Sequence, residues 1–86
     1  MAFDLERGWA LHPQVALRPE PFGALAYHFG TRRLSFLKSR TLLAVVEALG
    51  SQPSAREACR AAGVRDDELA QYTRALATLA ETGMIR

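Results

Sequence analysis

Apolar and polar positions follow two different periods along this chain of 86 residues. In residues 23–39, GALAYHFGTRRLSFLKS, large apolar side chains recur at every second position, which is the period of a β-strand. From residue 39 onward they recur three and four positions apart, which is the period of an amphipathic helix. The pattern therefore predicts an α+β fold in which strands come first and helices follow.

The alternating stretch predicts a β-hairpin with one buried face. A two-residue turn at Gly30 and Thr31, with glycine first, is typical of a type II′ turn. A four-residue loop would keep the same faces, so the face assignment does not depend on the turn type. The side chain of His28 is expected on the opposite face, where it is solvated or faces a peptide. The four large side chains expected together on the buried face are Leu25, Tyr27, Leu34 and Phe36.

The chain before the hairpin has a weaker pattern. Residues 1–12 are expected to form an N-terminal extension that is anchored by Trp9 and Leu11. Three prolines in residues 13–21 disfavour a helix there, because proline lacks the N–H that a helix interior needs. The intervening segment QVALRPE is expected to form a short strand, which places all strands within residues 13–38.

Three helices are predicted within residues 39–86. The first begins at an N-cap at Ser39 and ends at Gly50, and the second spans SAREACRAA, whose serine and glutamate form a capping box. The third spans about Asp66–Thr82, and the apolar tail Met84–Ile85 is expected to dock back onto the core. The apolar stripe of the third helix consists of Leu69, Tyr72, Leu76 and Leu79.

The second and third helices, joined by AGVRD, resemble a helix-turn-helix. With a small sheet beside it, this arrangement predicts a winged-helix-like fold. No internal repeat and no long linker divides the chain, so residues 1–86 are expected to form a single domain.

The composition is that of a globular protein, with 49% hydrophobic and 23% charged residues. Cys59 is the only cysteine, so no internal disulfide is expected. The N-terminal MAFDLERGWALH has acids where a secretion signal has positive charge and an apolar run. The longest apolar runs are shorter than a membrane span. We therefore expect a cytoplasmic protein that does not insert into a membrane.

The sequence contains no pattern that indicates catalysis. His12, His28 and Cys59 are far apart and lack the spacing of metal ligands, and Cys59 is expected to be an inert core thiol. The only acid cluster, residues 66–68, starts a helix, where consecutive side chains point in different directions and offset the helix dipole. A glycine-rich phosphate loop is absent from the sequence. We therefore expect no enzyme activity, no metal and no cofactor.

The distribution of charge is more informative than its sum. The net charge of +2 is too small to indicate nucleic-acid binding by itself. No acid occurs between Glu20 and Glu47, and that window is basic. Its charged residues are Arg32, Arg33, Lys38 and Arg40.

The third helix argues against DNA binding. In a helix-turn-helix, the N-terminal residues of this helix would meet base edges and phosphates. Here they are Asp66, Asp67 and Glu68, and the whole helix has four acids against one arginine. Phosphate contact needs the opposite charge. A winged helix-turn-helix DNA-binding protein is kept as the alternative function, with the basic hairpin as its wing.

The strand Arg33–Lys38 is expected at an edge of the sheet, where its basic residues could serve either of two roles. They could block pairing with other chains, which is a common protection of edge strands. They could instead attract an acidic peptide that adds to the sheet as a further strand. Charge alone fits both roles equally. In the second case the third helix would form the other wall of a groove, with Thr73 and Ala80 among its lining residues.

The residues VALRPEPFGALAYHFGTRRLSFLKS, LLAVVEAL and GVRDDELAQYTRALATLAETGMI resemble the mycofactocin-biosynthesis peptide chaperone family. That family belongs to the precursor-peptide recognition domains typified by the pyrroloquinoline-quinone peptide chaperone. The resemblance extends from Trp9 to Ile85. Its most specific parts are RPEPFG at residues 18–23 and RLSFLKS at residues 33–39.

The resemblance implies a three-stranded antiparallel sheet followed by a three-helix bundle. It implies a non-catalytic chaperone that binds the acidic leader of a ribosomally made precursor peptide and presents it to a radical S-adenosylmethionine maturase. A homodimer is compatible with this role, and nucleic acid is not an expected partner. The leader is expected to add along the third strand and to contact the third helix. The expected peptide-binding residues are Arg32, Arg33, Leu34, Ser35, Phe36, Leu37, Lys38, Leu69, Tyr72, Thr73, Leu76 and Ala80.

Overall fold

A computed structural model describes residues 3–86 of the chain. The three strands form one antiparallel sheet in the order β1-β2-β3, and the helices follow it in the chain. The predicted α+β fold, with a three-stranded antiparallel sheet before three helices, is confirmed; its likeness to a winged helix stays a prediction. The strands are β1 (Val15–Glu20), β2 (Gly23–His28) and β3 (Arg33–Leu37), and the helices are α1 (Arg40–Ala48), α2 (Ala55–Ala61) and α3 (Leu69–Glu81).

The helix starts agree in part with the predicted caps. The hydroxyl of Ser39 accepts a hydrogen bond from the Leu42 N–H at 3.0 Å, so Ser39 is the N-cap of α1. The hydroxyl of Ser54 accepts from the Glu57 N–H at 3.2 Å at the start of α2. The predicted capping box is only half formed, because the Glu57 carboxylate bonds to Arg60 instead. The third predicted helix begins with a 3₁₀ turn over Asp66–Glu68 before α3.

The predicted register of the hairpin is correct, but its buried face is the opposite one. Tyr27 pairs with Leu34 and Leu25 with Phe36, as expected. Leu34 and Phe36 are nevertheless 52% and 57% exposed. We call their side of the sheet the outer face. The residues buried on the other side, here called the inner face, include Val15, Ala24, Ala26, His28 and Leu37.

Small side chains on the inner face explain this reversal. Ala24 and Ala26 are the inner-face residues of the central strand, and α1 packs against that strand. A methyl group at these positions lets a helix backbone approach closely, so the larger apolar side chains of the helices fill the space between the layers. The core therefore depends on side chains contributed by α1 and α3. These include Leu42, Val45, Val46, Tyr72, Leu76 and Leu79, and Leu49 adds to the core just beyond the end of α1.

The tip of the hairpin is a four-residue loop over residues 29–32, and not the predicted type II′ turn. Arg32 has a φ of 61°, and its N–H donates to the His28 carbonyl at 2.7 Å. The His28 side chain is buried, and its Nδ1 accepts hydrogen bonds from the N–H groups of Gly30 at 3.0 Å and Thr31 at 3.1 Å. The prediction of a solvated His28 is therefore wrong. This imidazole is a structural support for the loop.

The two ends of the described chain meet. Leu11 forms a β-bridge with Ile85, and Ala10 and Arg86 exchange backbone hydrogen bonds of 2.8 and 2.9 Å. Met84 and Ile85 are buried, so the predicted docking of the apolar tail is confirmed. Trp9 is half-buried, as expected of an anchor, and stacks on Phe3 with ring centroids 4.7 Å apart. Positions 1 and 2 of the predicted extension lie outside the described residues.

Across residues 3–86, none of the helices is both long and apolar enough to cross a bilayer.

Candidate functional site

Strand β3 is one of the two edges of the sheet, and its outward backbone groups can be identified from the register. The Phe29 N–H donates to the Gln14 carbonyl at 2.8 Å, so this residue of the hairpin directs its backbone toward β1. Because backbone direction alternates along a strand, Ala26 directs its N–H and C=O toward β3, where it pairs with Ser35. It follows that Leu34 and Phe36, on either side of Ser35, direct their backbone N–H and C=O groups away from the sheet.

The other edge of the sheet, strand β1, is a poor acceptor for an added strand. The same alternation directs the backbone of Arg18, which pairs with Leu25, toward β2 and that of Pro19 outward. Proline has no N–H to offer to a further strand, and edge prolines commonly prevent such pairing. Strand β3 contains no proline. The two edges therefore differ in their capacity to extend the sheet, and β3 is the open one.

A groove runs along this open edge, between β3 and α3. Its cavity volume is about 540 Å³, and residues of α1 also contribute to its wall. The surface is mostly apolar with a few polar groups, which is the usual character of a ligand site. The lining residues are Leu34, Ser35, Phe36, Leu37, Lys38, Ser39, Leu42, Gln71, Tyr72, Ala75, Thr78 and Leu79.

Half of the predicted site residues line this groove. All of β3 from Leu34 onward, Lys38 and Tyr72 are among them. Arg32 and Arg33 are exposed at the hairpin tip, outside the lining. Four predicted positions on α3 also lie outside it: Leu69, Thr73, Leu76 and Ala80.

The predicted α3 positions that do not line the groove differ from its lining residues mainly in helical phase. Ala75 and Leu79 lie three and seven residues after Tyr72, so the three side chains share one face of the helix. Thr73 and Ala80 lie on a neighbouring face. Leu76 is a core residue, and the Thr73 hydroxyl donates to the Leu69 carbonyl at 2.7 Å within the helix. Counting three and seven residues from Tyr72 would have identified Ala75 and Leu79. The other lining residues that the sequence prediction missed are Ser39, Leu42, Gln71 and Thr78.

The charge around the groove is positive and not compensated. Arg32, Arg33 and Lys38 are exposed, and none of them forms an ion pair with any residue between 3 and 86. Two acids that precede α3 are compensated, because Asp67 lies 3.1 Å and Glu68 3.7 Å from the guanidinium of Arg65. An anion that approaches the β3 edge therefore meets unpaired cations.

Among residues 3–86, the remaining titratable side chains do not form a second site. Burial raises the pKa of the Cys59 thiol, which keeps it protonated and agrees with the predicted inert core cysteine. The rings of His12 and His28 are 4.4 Å apart, and partial burial, followed by the charges of Arg86 and His28, lowers the pKa of His12. Within the described part of the chain, no three His, Cys, Asp or Glu side chains are grouped so that they could hold a metal ion.

Comparison with known proteins gives consistent matches over almost the whole chain. The family model of the peptide chaperone MftB family matches residues 8–86. The peptide chaperone MftB of Mycobacterium ulcerans is 66% identical over 84 residues, covering 98% of this chain and 77% of the relative. That of Mycobacterium tuberculosis is 63% identical over 83 residues, covering 96% and 76%. That of Mycolicibacterium smegmatis is 56% identical over 85 residues, covering 99% and 83%. No solved structure matches the chain.

Proposed function

This chain belongs to the peptide chaperone MftB family, and from this premise we propose that it binds the leader of a ribosomally synthesised precursor peptide and presents it to a radical S-adenosylmethionine maturase of mycofactocin biosynthesis. Membership in a family of chaperones agrees with the prediction that the chain is not an enzyme. The leader is proposed to add to the sheet at β3. The residues 1–86 are proposed to act as one precursor-peptide recognition domain.

The open edge of β3 beside an apolar groove is the observation that carries this proposal. An added strand would lie about 4.8 Å from β3 and would pair with the outward backbone groups of Leu34 and Phe36. Its side chains would alternate between the two faces of the sheet. Those on the inner face would enter the groove between β3 and α3, where they meet Tyr72 and Ala75. Backbone pairing then supplies affinity, and the groove selects the sequence register.

The unpaired backbone N–H of Phe36 provides a direct test of strand addition. Phe36→Pro removes this N–H without removing a hydrogen bond between β2 and β3, and its ring would collide with the added strand. We expect the variant to bind a synthetic leader peptide roughly tenfold or more weakly than Phe36→Ala, because a hydrogen bond is lost and one backbone carbonyl of the leader is left unpaired. Isothermal titration calorimetry measures both affinities.

Phe36→Ala is the matched control, because it removes the same ring and keeps the N–H. The melting temperatures of the two variants should be close, since the edge position carries no ladder bond. Equal affinities of the proline and alanine variants for the leader would contradict pairing at β3.

The charge of the hairpin gives a second test. Arg33→Glu reverses one unpaired cation, so we expect an acidic leader to bind roughly tenfold more weakly at low salt. The difference from the wild type should shrink as salt is raised, because screening weakens exposed charge pairs. The control is Arg60→Glu, an exposed arginine on α2, which lies outside the groove. If both reversals had the same effect on leader affinity, the hairpin charge would have no specific role.

A further inference from the structure

The outer face of the sheet carries a second apolar surface, which shares only Leu34 and Phe36 with the groove. Phe22 is 47% exposed and Phe29 is 61% exposed, although phenylalanine is usually buried. Both lie with Leu34 and Phe36 on this side of the sheet. The residues of this surface, here called the outer patch, are Phe22, Leu25, Tyr27, Phe29, Leu34 and Phe36.

The outer patch is continuous from one end of the sheet to the other. At the β1–β2 turn, the rings of Phe22 and Phe36 are 6.3 Å apart. Near the hairpin tip, Tyr27 and Phe29 are in edge-to-face contact at 5.0 Å. Cross-strand pairing of Tyr27 with Leu34 joins the two ends. Contiguous exposed apolar surface of this kind, rich in aromatic residues, is typical of protein interfaces.

The leader peptide does not account for this patch. A strand added at β3 lies in the plane of the sheet, so it can touch the outer-face side chains of Leu34 and Phe36 but cannot cover Phe22, Tyr27 or Phe29. The helices do not cover it either, because α1 packs on the inner face. A peptide-loaded chain would still expose most of the patch.

The charge around the patch selects the kind of partner. Residues 15–38 contain four cations and one acid, a net charge of +3. The one acid, Glu20, is paired with Arg18 at 2.9 Å, so it does not neutralise Arg32, Arg33 or Lys38. Two copies meeting face to face would bring two positive surfaces together, which disfavours a symmetric dimer through this patch. A partner with carboxylates around an apolar centre is complementary to it.

We propose that the outer patch is the docking surface for the maturase, which meets it with an apolar surface surrounded by carboxylates; this inference rests on the proposed function. The side chains of Leu34 and Phe36 belong to the patch, while their backbone groups form the edge that receives the leader. A maturase docked on the outer patch therefore touches the border of the bound leader. This geometry holds the peptide beside the enzyme without requiring that the two compete for the same surface.

The test introduces a carboxylate into the outer patch at residues that do not belong to strand β3. Phe29→Asp and Phe22→Asp alter opposite ends of the patch, and neither residue lines the groove. Ala61→Asp is the matched control, because it adds the same charge at an exposed apolar position on α2. The affinity of each protein for the maturase and for a synthetic leader is measured by calorimetry, and circular dichroism checks that each variant is folded.

We expect both phenylalanine variants to bind the maturase roughly tenfold or more weakly than Ala61→Asp. At raised salt, where the added charge is screened, both should keep wild-type affinity for the leader. Wild-type affinity of both variants for the maturase would overturn the docking surface and leave the proposed function intact. Loss of leader binding together with maturase binding in folded Phe22→Asp would also overturn it, since the two surfaces would not be separate. A concentration-dependent dimer that dissociates on Phe29→Asp would assign the patch to a second copy instead. A wild-type chain that binds neither leader nor maturase would refute the proposed function itself.

Discussion

Ala75→Phe is expected to abolish leader binding while the chain remains folded. Ala75 is half-buried on α3 and lines the groove opposite β3. A phenyl ring at this position would occupy the space that the inward side chains of an added strand need, because packed surfaces do not make room without strain. We expect the affinity for a synthetic leader to fall by about 100-fold, which corresponds to about 2.7 kcal/mol. Titration calorimetry provides the measurement.

Ala77→Phe is the matched control for this substitution. Ala77 is also half-buried on α3, but it does not line the groove or pack against the core. The same ring at this position should leave leader affinity within about twofold of the wild type, since surface substitutions usually have small effects. If Ala75→Phe bound the leader as well as Ala77→Phe did, the groove would not be the peptide site.

Gly23→Ala is expected to destabilise the whole fold. Gly23 has a φ of 152°, which a residue with a side chain rarely adopts. A Cβ there would overlap the Leu37 carbonyl oxygen and would lie 2.8 and 2.9 Å from the backbone O and N of Ser39. These are backbone atoms at the junction of β3 and α1, so they can move only if that junction shifts. We expect a loss of about 3 kcal/mol in the free energy of unfolding.

A loss of this size should lower the melting temperature by about 15 °C in a domain of this length, as followed by circular dichroism. Gly50→Ala provides the comparison, because a Cβ at Gly50 meets nothing within 4 Å. Its melting temperature should stay within a few degrees of the wild type. Similar melting curves for Gly23→Ala and Gly50→Ala would mean that the close approach at the β3–α1 junction does not constrain the fold.

In the hairpin, the alternating pattern predicts the pairing of the strands but not the face that is buried. The pairing of Tyr27 with Leu34 follows from spacing along the chain, because any turn of even length keeps the same register parity. The choice of buried face does not follow, because both faces are apolar: one bears large side chains and the other bears Ala24 and Ala26. Large apolar residues were predicted to be inside on general grounds. The structure reverses this, since the small residues admit α1 against the central strand.

The candidate site also combines features that the sequence predicts with features that only the structure shows. The basic, acid-free segment and the proposed edge strand could be identified from residue types and order. Of the predicted site residues, Lys38, Tyr72 and the part of β3 from Leu34 onward line the groove. The predicted flanks on α3, Thr73 and Ala80, do not line the groove, because the rotation of a helix about its axis depends on its neighbours and not on its own sequence. Leu42 of α1 was missed because its contribution requires the tertiary packing.

The sequence by itself determined the order of elements, the helix caps at Ser39 and Ser54, the cross-strand register and the positive charge of the hairpin. All of these depend on residues close together in the chain, where spacing and local hydrogen bonding decide. Only the tertiary structure decided which face of the sheet is covered and where β3 and α3 leave a groove between them. These features depend on packing between distant segments, since the free energy of burial depends on what a side chain meets across the core.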